Sequence, residues 1–414
     1  MNEDGPGQNE EGCPRCDAFT MKGASFCGEC GKGLDCPHCD SFRTDNSIFC
    51  GACGRPFRCP YCAGYADSGA DYCGKCGTNL IGDFPQQERK NGNALAKIAL
   101  SIILLIGALL IFETFALFDG AMSVVWMLED SNGIRLSIYV PIGRFFNEFI
   151  VIAVLKGNAA LAYWAIVVAA IAISAFMVFK DLIINLGRTV RERNERHMES
   201  SALFWISMSL SIYLLFSLAY SLLLLMLGME ITVPGGIGDG LSSDRFQFAN
   251  AAFWEEIADR VLYIGAPLAA ITLIATKNLK SLKCLIGGVE MSKVAVILIF
   301  TSALIFALAH QVNWSFEKVP PVMFGGLLFG YLFIRFGLFA CITFHFIVDY
   351  LTSFAWYGFE TMEALVFLII AAYGIISLIY LISKGTKKRI DWKGMPWVVK
   401  MDSEDDALNQ SKGF

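Results

Sequence analysis

The chain has 414 residues, of which 55% are hydrophobic and 17% charged, and a formal net charge of −5. Soluble domains are about a quarter charged, so this composition excludes a single water-soluble globule. The net charge averages two unlike parts, a polar head and an apolar body, and excludes nothing by itself.

Residues 1–12, MNEDGPGQNEEG, are acidic and polar and read as disordered; they lack the apolar core of a secretory signal. An internal repeat follows. Each unit reads CPxC, ten residues, then [FY]CGxCG, and each recurs 23 residues on. Cys13, Cys16, Cys27 and Cys30 form the first unit (13–30). Cys36, Cys39, Cys50 and Cys53 form the second (36–53), and Cys59, Cys62, Cys73 and Cys76 the third (59–76). A CxxC knuckle points two thiolates at one metal, and two knuckles complete a tetrahedral four-sulfur zinc site. Pairing within each repeat uses all twelve thiolates locally, so the pattern predicts three zinc ribbons and three structural zinc ions. Disulfides are the alternative, and regular CxxC pairs without a signal peptide disfavour them. A closed four-sulfur site has no open position for substrate, and in units this small the metal supplies folding energy. Basic residues of the head, Arg15, Lys22, Lys32, Arg43, Arg55, Arg58 and Lys75, are scattered among acids. That distribution favours a protein partner over nucleic acid. Residues 78–93 read as a linker.

From residue 94 to 383 apolar runs of about 20 residues recur, the length that crosses a roughly 30 Å hydrocarbon core. The expected spans are 95–118, 159–179, 201–229, 249–276, 293–312, 321–337, 338–356 and 362–383. The fold class is thus an all-α polytopic membrane bundle of about eight helices preceded by three small zinc-ribbon repeats. Residues 120–150, where Pro141, Arg144 and Glu148 interrupt an apolar run, read as an interfacial segment. Lys and Arg gather in every second loop: Arg89, Lys90 and Lys97; Lys180 to Arg196; Lys277, Lys280 and Lys283; Arg335; and Lys384 to Arg389. Positive charge marks the cytoplasmic side, so both termini, including a tail at 384–414, are expected in the cytoplasm.

Ionisable residues inside membrane spans are costly and mark function. The fourth span carries Glu255, Glu256, Asp259 and Arg260. Glu256 and Arg260 are four residues apart and can pair on one helix face; Glu255 is rotated about 100° away, towards a cavity. The fifth span ends in FALAH, with His310 one turn after Phe306, and the seventh contains HFIVDY, with Asp349 one turn after His345. A packed structural histidine and an ion or proton pathway are the alternatives to a catalytic cluster. The span ends place Glu255 and His310 towards one face and His345 towards the other. They meet if the fourth span begins earlier, near Ser243, or if the sixth and seventh spans shift.

EEIADR, FALAH and HFIVD fit the motifs EExxxR, FxxxH and Hxxx[ND], and between the last two lies the Phe/Gly-rich FGGLLFGYLFIRFGLFACITFH. In order and spacing this resembles the CPBP family of intramembrane proteases, which holds the CAAX prenyl endopeptidases and bacteriocin-processing relatives, over about residues 201–383. The resemblance implies that Glu255 activates water, that His310 helps to hold it, and that His345 and Asp349 stabilise the oxyanion. Glu256 and Arg260 would order the cluster. Asp349 departs from the Asn of many relatives. An ionised Asp repels an oxyanion, so Asp349 is protonated, orients His345, or serves another role. The same carboxylate and imidazoles could hold a catalytic zinc; a metal-free glutamate mechanism is favoured. The expected function is cleavage of a membrane-associated peptide, CAAX-type or leader-like. The rival is a catalytically inactive membrane adaptor or immunity-type protein acting through its head.

Overall fold

The computed structural model describes residues 86–129, 133–142, 146–192, 195–229, 240–387 and 394–401. The ribbon cysteines Cys13 to Cys76 and the residues around them lie outside the described residues. The chain divides into two units, Met1–Asn93 and Ala94–Phe414, and the second carries the membrane bundle.

Helix α1 spans Gln86–Glu129, so it begins inside the segment read as a linker and extends beyond the expected end of the first span. Ile103, Ile106, Leu110, Glu113 and Leu117 recur at helical spacing and are buried, whereas Leu104, Ile111, Phe115 and Phe118 are exposed. An apolar residue on the outside of a bundle faces lipid, so exposure here carries no penalty. Next come strands β1 (Ile134–Ile142) and β2 (Phe146–Leu155), an antiparallel hairpin with Ile134 opposite Leu155 and a bulge at Leu136/Ser137. The segment read as interfacial, 120–150, thus holds the end of α1 and most of a β-hairpin. The β-branched and aromatic run IRLSIYVPI alternates polar Arg135 and Ser137 with Ile134, Leu136 and Ile138, the pattern of a strand with two unlike faces. Pro141 stands next to the last residue of β1, where a missing backbone N–H is tolerated.

Helix α2 spans Asn158–Glu192 and α3 spans Ala202–Met226, with the Ser201 side chain capping α3 by accepting from Phe204 N–H. The fourth span is built from α4 (Leu241–Glu256), a π-helical segment (Ile257–Gly265) and α5 (Ala266–Thr276). Pro267, in the first turn of α5, lacks the N–H that would continue the ladder, and its ring crowds the carbonyl four residues back. The widened turn lies just before it, carrying Asp259 and Arg260. Span four therefore begins at Leu241, with Gly240 rather than Ser243 at its N-cap, and Glu255 lies well inside it. That earlier start is what lets Glu255 and His345 meet.

Helices α6 (Lys293–Asn313), α7 (Val319–Phe336), α8 (Leu338–Tyr350) and α9 (Glu360–Lys387) complete the bundle. Among the described residues, eight helices are long and apolar enough to cross a membrane. Helix α7 lies close against α6: a Cβ at Gly326 would come 2.9 Å from Ala303 Cα, and one at Gly330 would come 2.7 Å from the Ile299 side chain. Such close approach needs glycine. Gly337, at φ 96°, turns the chain from α7 into α8 and donates to Phe333 O at 2.9 Å. Part of the expected tail is instead ordered against the bundle. Lys293 N–H and Val294 N–H, orphan donors at the start of α6, donate to Pro396 O (2.9 Å) and Trp397 O (3.2 Å), and Val399 is buried.

Candidate active site

The end of α4, the π segment, α6 and α8 bring the three motifs together. His345 is the hub. Its Nδ1 lies 2.8 Å from Glu256 Oε1, and its Nε2 lies 3.4 Å from Asp349 Oδ2 and 3.8 Å from Glu255 Oε2. The i,i+4 spacing on α8 puts His345 and Asp349 on one face, while the approach to Glu256 joins residues 89 apart in sequence.

Glu256 and Arg260 are both fully buried and pair at 3.2 Å. Arg260 Nη1 donates to Ser302 Oγ (2.6 Å), which donates in turn to the backbone carbonyl of Asp259 (2.7 Å). The guanidinium lies 5.0 Å from the Phe306 ring centre and 5.2 Å from that of Phe329, so its faces meet aromatic π clouds. Phe306 also contacts the histidines of both other motifs, with ring centres 4.7 Å from His310 and 6.3 Å from His345. The Phe of FxxxH is therefore a packing partner shared by arginine and both imidazoles.

Glu255 is left over from this pairing. Its Oε2 is buried and without a hydrogen-bond partner, and the side chain lines a cavity of about 250 Å³ with Asp259, Phe306 and His310. His310 Nδ1 lies 2.9 Å from Phe306 O. A carbonyl only accepts, so Nδ1 carries the proton, and in the neutral ring Nε2 is an acceptor. Among the described residues, no three His, Cys, Asp or Glu side chains converge in an arrangement that could hold a metal ion.

One wall of the cavity comes from the hairpin, through Arg135, Ser137, Tyr139 and Phe149. Trp254 Nε1 donates to Ser137 O (2.7 Å) and Tyr263 OH to Tyr139 O (2.5 Å), which ties β1 to the fourth span on either side of Glu255. Burial pushes the Tyr139 phenol above its ordinary value, so it stays neutral. The sequence reading passed over this wall, although the alternation in 134–140 could have shown it. It also passed over Glu113 of α1, which is fully buried with neither carboxyl oxygen hydrogen-bonded. The signal was a lone acid in an otherwise apolar span.

An ionisable cluster inside a bundle of eight helices long and apolar enough to span a membrane defines the class as a polytopic membrane protein. Residues 246–351, which contain all three motifs, match the family model described as type II CAAX prenyl endopeptidase, Rce1-like, and residues 13–54 match the double zinc ribbon. Over these segments the chain is similar to the CPBP-type membrane proteases and to the double zinc ribbons, which supports a membrane protease with structural zinc in the ribbons towards its N-terminus. The ribbon match covers the first two repeats; the hairpin, Glu113 and the third repeat fall outside both matches. No curated protein and no solved structure matches the chain.

Proposed function

We propose that the chain hydrolyses a peptide bond of a membrane-associated substrate by a metal-free glutamate mechanism, with both termini and the ribbon head in the cytoplasm. The observation that carries it is the division of labour between adjacent carboxylates. Glu256 is neutralised by Arg260 and bonded to His345, whereas Glu255 keeps a buried, unbonded oxygen on the cavity.

Glu255 and His310 Nε2 are both acceptors on one cavity and can take the two protons of a single water. Glu255 removes one proton as the water oxygen attacks the scissile carbonyl carbon. The carbonyl oxygen becomes an oxyanion, and an N–H at His345 Nε2 donates to it. Glu256 holds the other side of that ring at Nδ1. When the C–N bond breaks, the proton on Glu255 passes to the leaving amine, so the carboxylate is regenerated.

Asp349 lies 3.4 Å from His345 Nε2, which supports a role in orienting the resting ring: Asp349 and Glu256 face its two nitrogens, and Asp349 gives up the Nε2 hydrogen when the oxyanion forms. On this reading Asp349 need not contact the oxyanion, and the departure from Asn is accommodated. The third repeat, with the spacing of the other two, adds a third ribbon and a third zinc. The head would recruit a protein partner or substrate.

Glu255→Gln and His310→Ala should each reduce turnover of a membrane peptide at least ~100-fold while the purified protein keeps its thermal transition. Wild-type turnover in Glu255→Gln refutes the assignment.

A further inference from the structure

The hairpin leaves one strand edge open inside the membrane domain. Among the described residues the sheet has two strands, so β2 pairs with β1 on one side and with no strand on the other. Ser137 O and Tyr139 O bond to Trp254 and Tyr263, so both carbonyls point away from β2. In an antiparallel pair, opposite residues either bond each other or both point outward. Phe149 stands opposite Tyr139 and Val151 opposite Ser137, so the N–H and C=O groups of Phe149 and Val151 lie along the open edge. Phe149, Ile150, Val151, Ile152 and Val154 are all apolar and 39–53% exposed.

That edge lies at membrane depth. Trp254 and Tyr263, which hold β1, each stand at least thirteen residues from either end of the fourth span, Leu241–Thr276, about 20 Å of helix. Apolar side chains are stable in lipid there. An open sheet edge is not, because hydrocarbon offers its N–H and C=O groups no partner. A membrane peptide about to be cleaved has the same deficit. In a helix its backbone is bonded within the segment; once unwound to expose a scissile bond, it carries unpaired groups of its own. Pairing the two edges removes both penalties. Position favours substrate over a second copy of this chain as the partner. Phe149 belongs to the open edge and also lines the cavity with Glu255, so a strand added beside it runs alongside that cavity.

We propose that β2 is the docking strand for substrate: an extended, apolar stretch of a membrane-embedded peptide adds to its open edge as a third strand, at Phe149 and Val151. This rests on the reading of Glu255 as the base and adds to it how a scissile segment is held extended. Main-chain bonds give such a strand affinity with little demand on side-chain identity. The hairpin joins spans one and two, so with the termini in the cytoplasm it enters from the opposite face. The docked stretch therefore belongs to a segment within the bilayer or exposed on that face. β2 lies outside the family-matched residues 246–351.

The test uses the full chain in lipid nanodiscs and a synthetic membrane peptide of about 20 Leu and Val residues, flanked by lysines. Binding is measured in the Glu255→Gln background and turnover in wild type. Methylating every second backbone nitrogen in the centre of the peptide leaves it one clean edge, and this version should bind at least as tightly as the parent. Methylating every central nitrogen leaves neither edge, and affinity should fall at least ~10-fold. Val151→Pro removes an edge N–H without touching the ladder to β1 and should weaken binding of the parent by a similar factor. Val151→Ala keeps that N–H and should bind as wild type does. Equal binding of the two methylated peptides, binding of no peptide, or parent affinity unchanged in a folded Val151→Pro protein overturns the docking strand. So does a dimer cross-linked through β2 that Val151→Pro dissolves without changing peptide affinity, since the edge then belongs to a second copy. The methylation pattern in binding together with wild-type turnover in Glu255→Gln leaves the docking strand standing and removes the catalytic reading instead.

Discussion

Replacing Arg260 with methionine removes a cation that is fully buried between Glu256, Ser302 and two phenyl rings. Glu256 would keep one charged or polar partner, His345 at 2.8 Å, and no water to replace the guanidinium. Breaking a buried pair by removing one partner costs about 3–5 kcal/mol, because the other charge is left uncompensated. Glu256→Gln alone strands the arginine, which already has one unbonded nitrogen, Nη2, and should cost a similar amount. The double variant buries neither charge, so its cost should fall short of the sum by about 2–3 kcal/mol. Unfolding of all four proteins in mixed micelles, followed by tryptophan fluorescence, gives the cycle. Single costs below about 1 kcal/mol, or strict additivity, would refute mutual neutralisation and with it the argument that singles out Glu255.

Three further outcomes follow from the packing and the motifs. Gly326→Ala should destabilise by about 1–2 kcal/mol, because its Cβ would meet the Ala303 backbone. Gly330→Ala meets the β-branched stem of Ile299, which has little freedom to withdraw, and should cost a similar amount in the same unfolding assay. Trp254→Phe and Tyr263→Phe each delete one tie between the fourth span and β1, about 1 kcal/mol apiece. Hydrogen exchange of the β1 amides should rise in each variant and most in the pair, and unchanged exchange would show that other contacts hold the hairpin. Metal analysis of protein purified under reducing conditions should give three zinc ions per chain, whereas two would confine the ribbon fold to residues 13–54.

Much of the architecture was legible because its signals are local. A membrane span is specified by length and apolarity alone, and eight spans read from sequence correspond to eight apolar helices. The ribbon repeat is likewise legible, since a four-thiolate site within about 20 residues declares its ligands by spacing. The hairpin is less legible, because the alternation in 134–140 is short and is followed by Pro141, Arg144 and Glu148, which break the apolar pattern. Its role as a cavity wall depends on bonds to Trp254 and Tyr263, more than 110 residues away.

In AAFWEEIADRVLYIG the sequence alone determined that four ionisable groups share one span, and that Glu256 and Arg260 can pair across one turn. It could not say which carboxylate would be free. The tertiary structure decided that, through the earlier start of span four and the π-helical turn before Pro267. Helical spacing fixes which side chains share a face of one helix. Which neighbouring helix that face meets, and at what depth, is set by the packing of α6, α7 and α8. That packing gave Glu256 to Arg260 and His345, and left Glu255 facing the cavity.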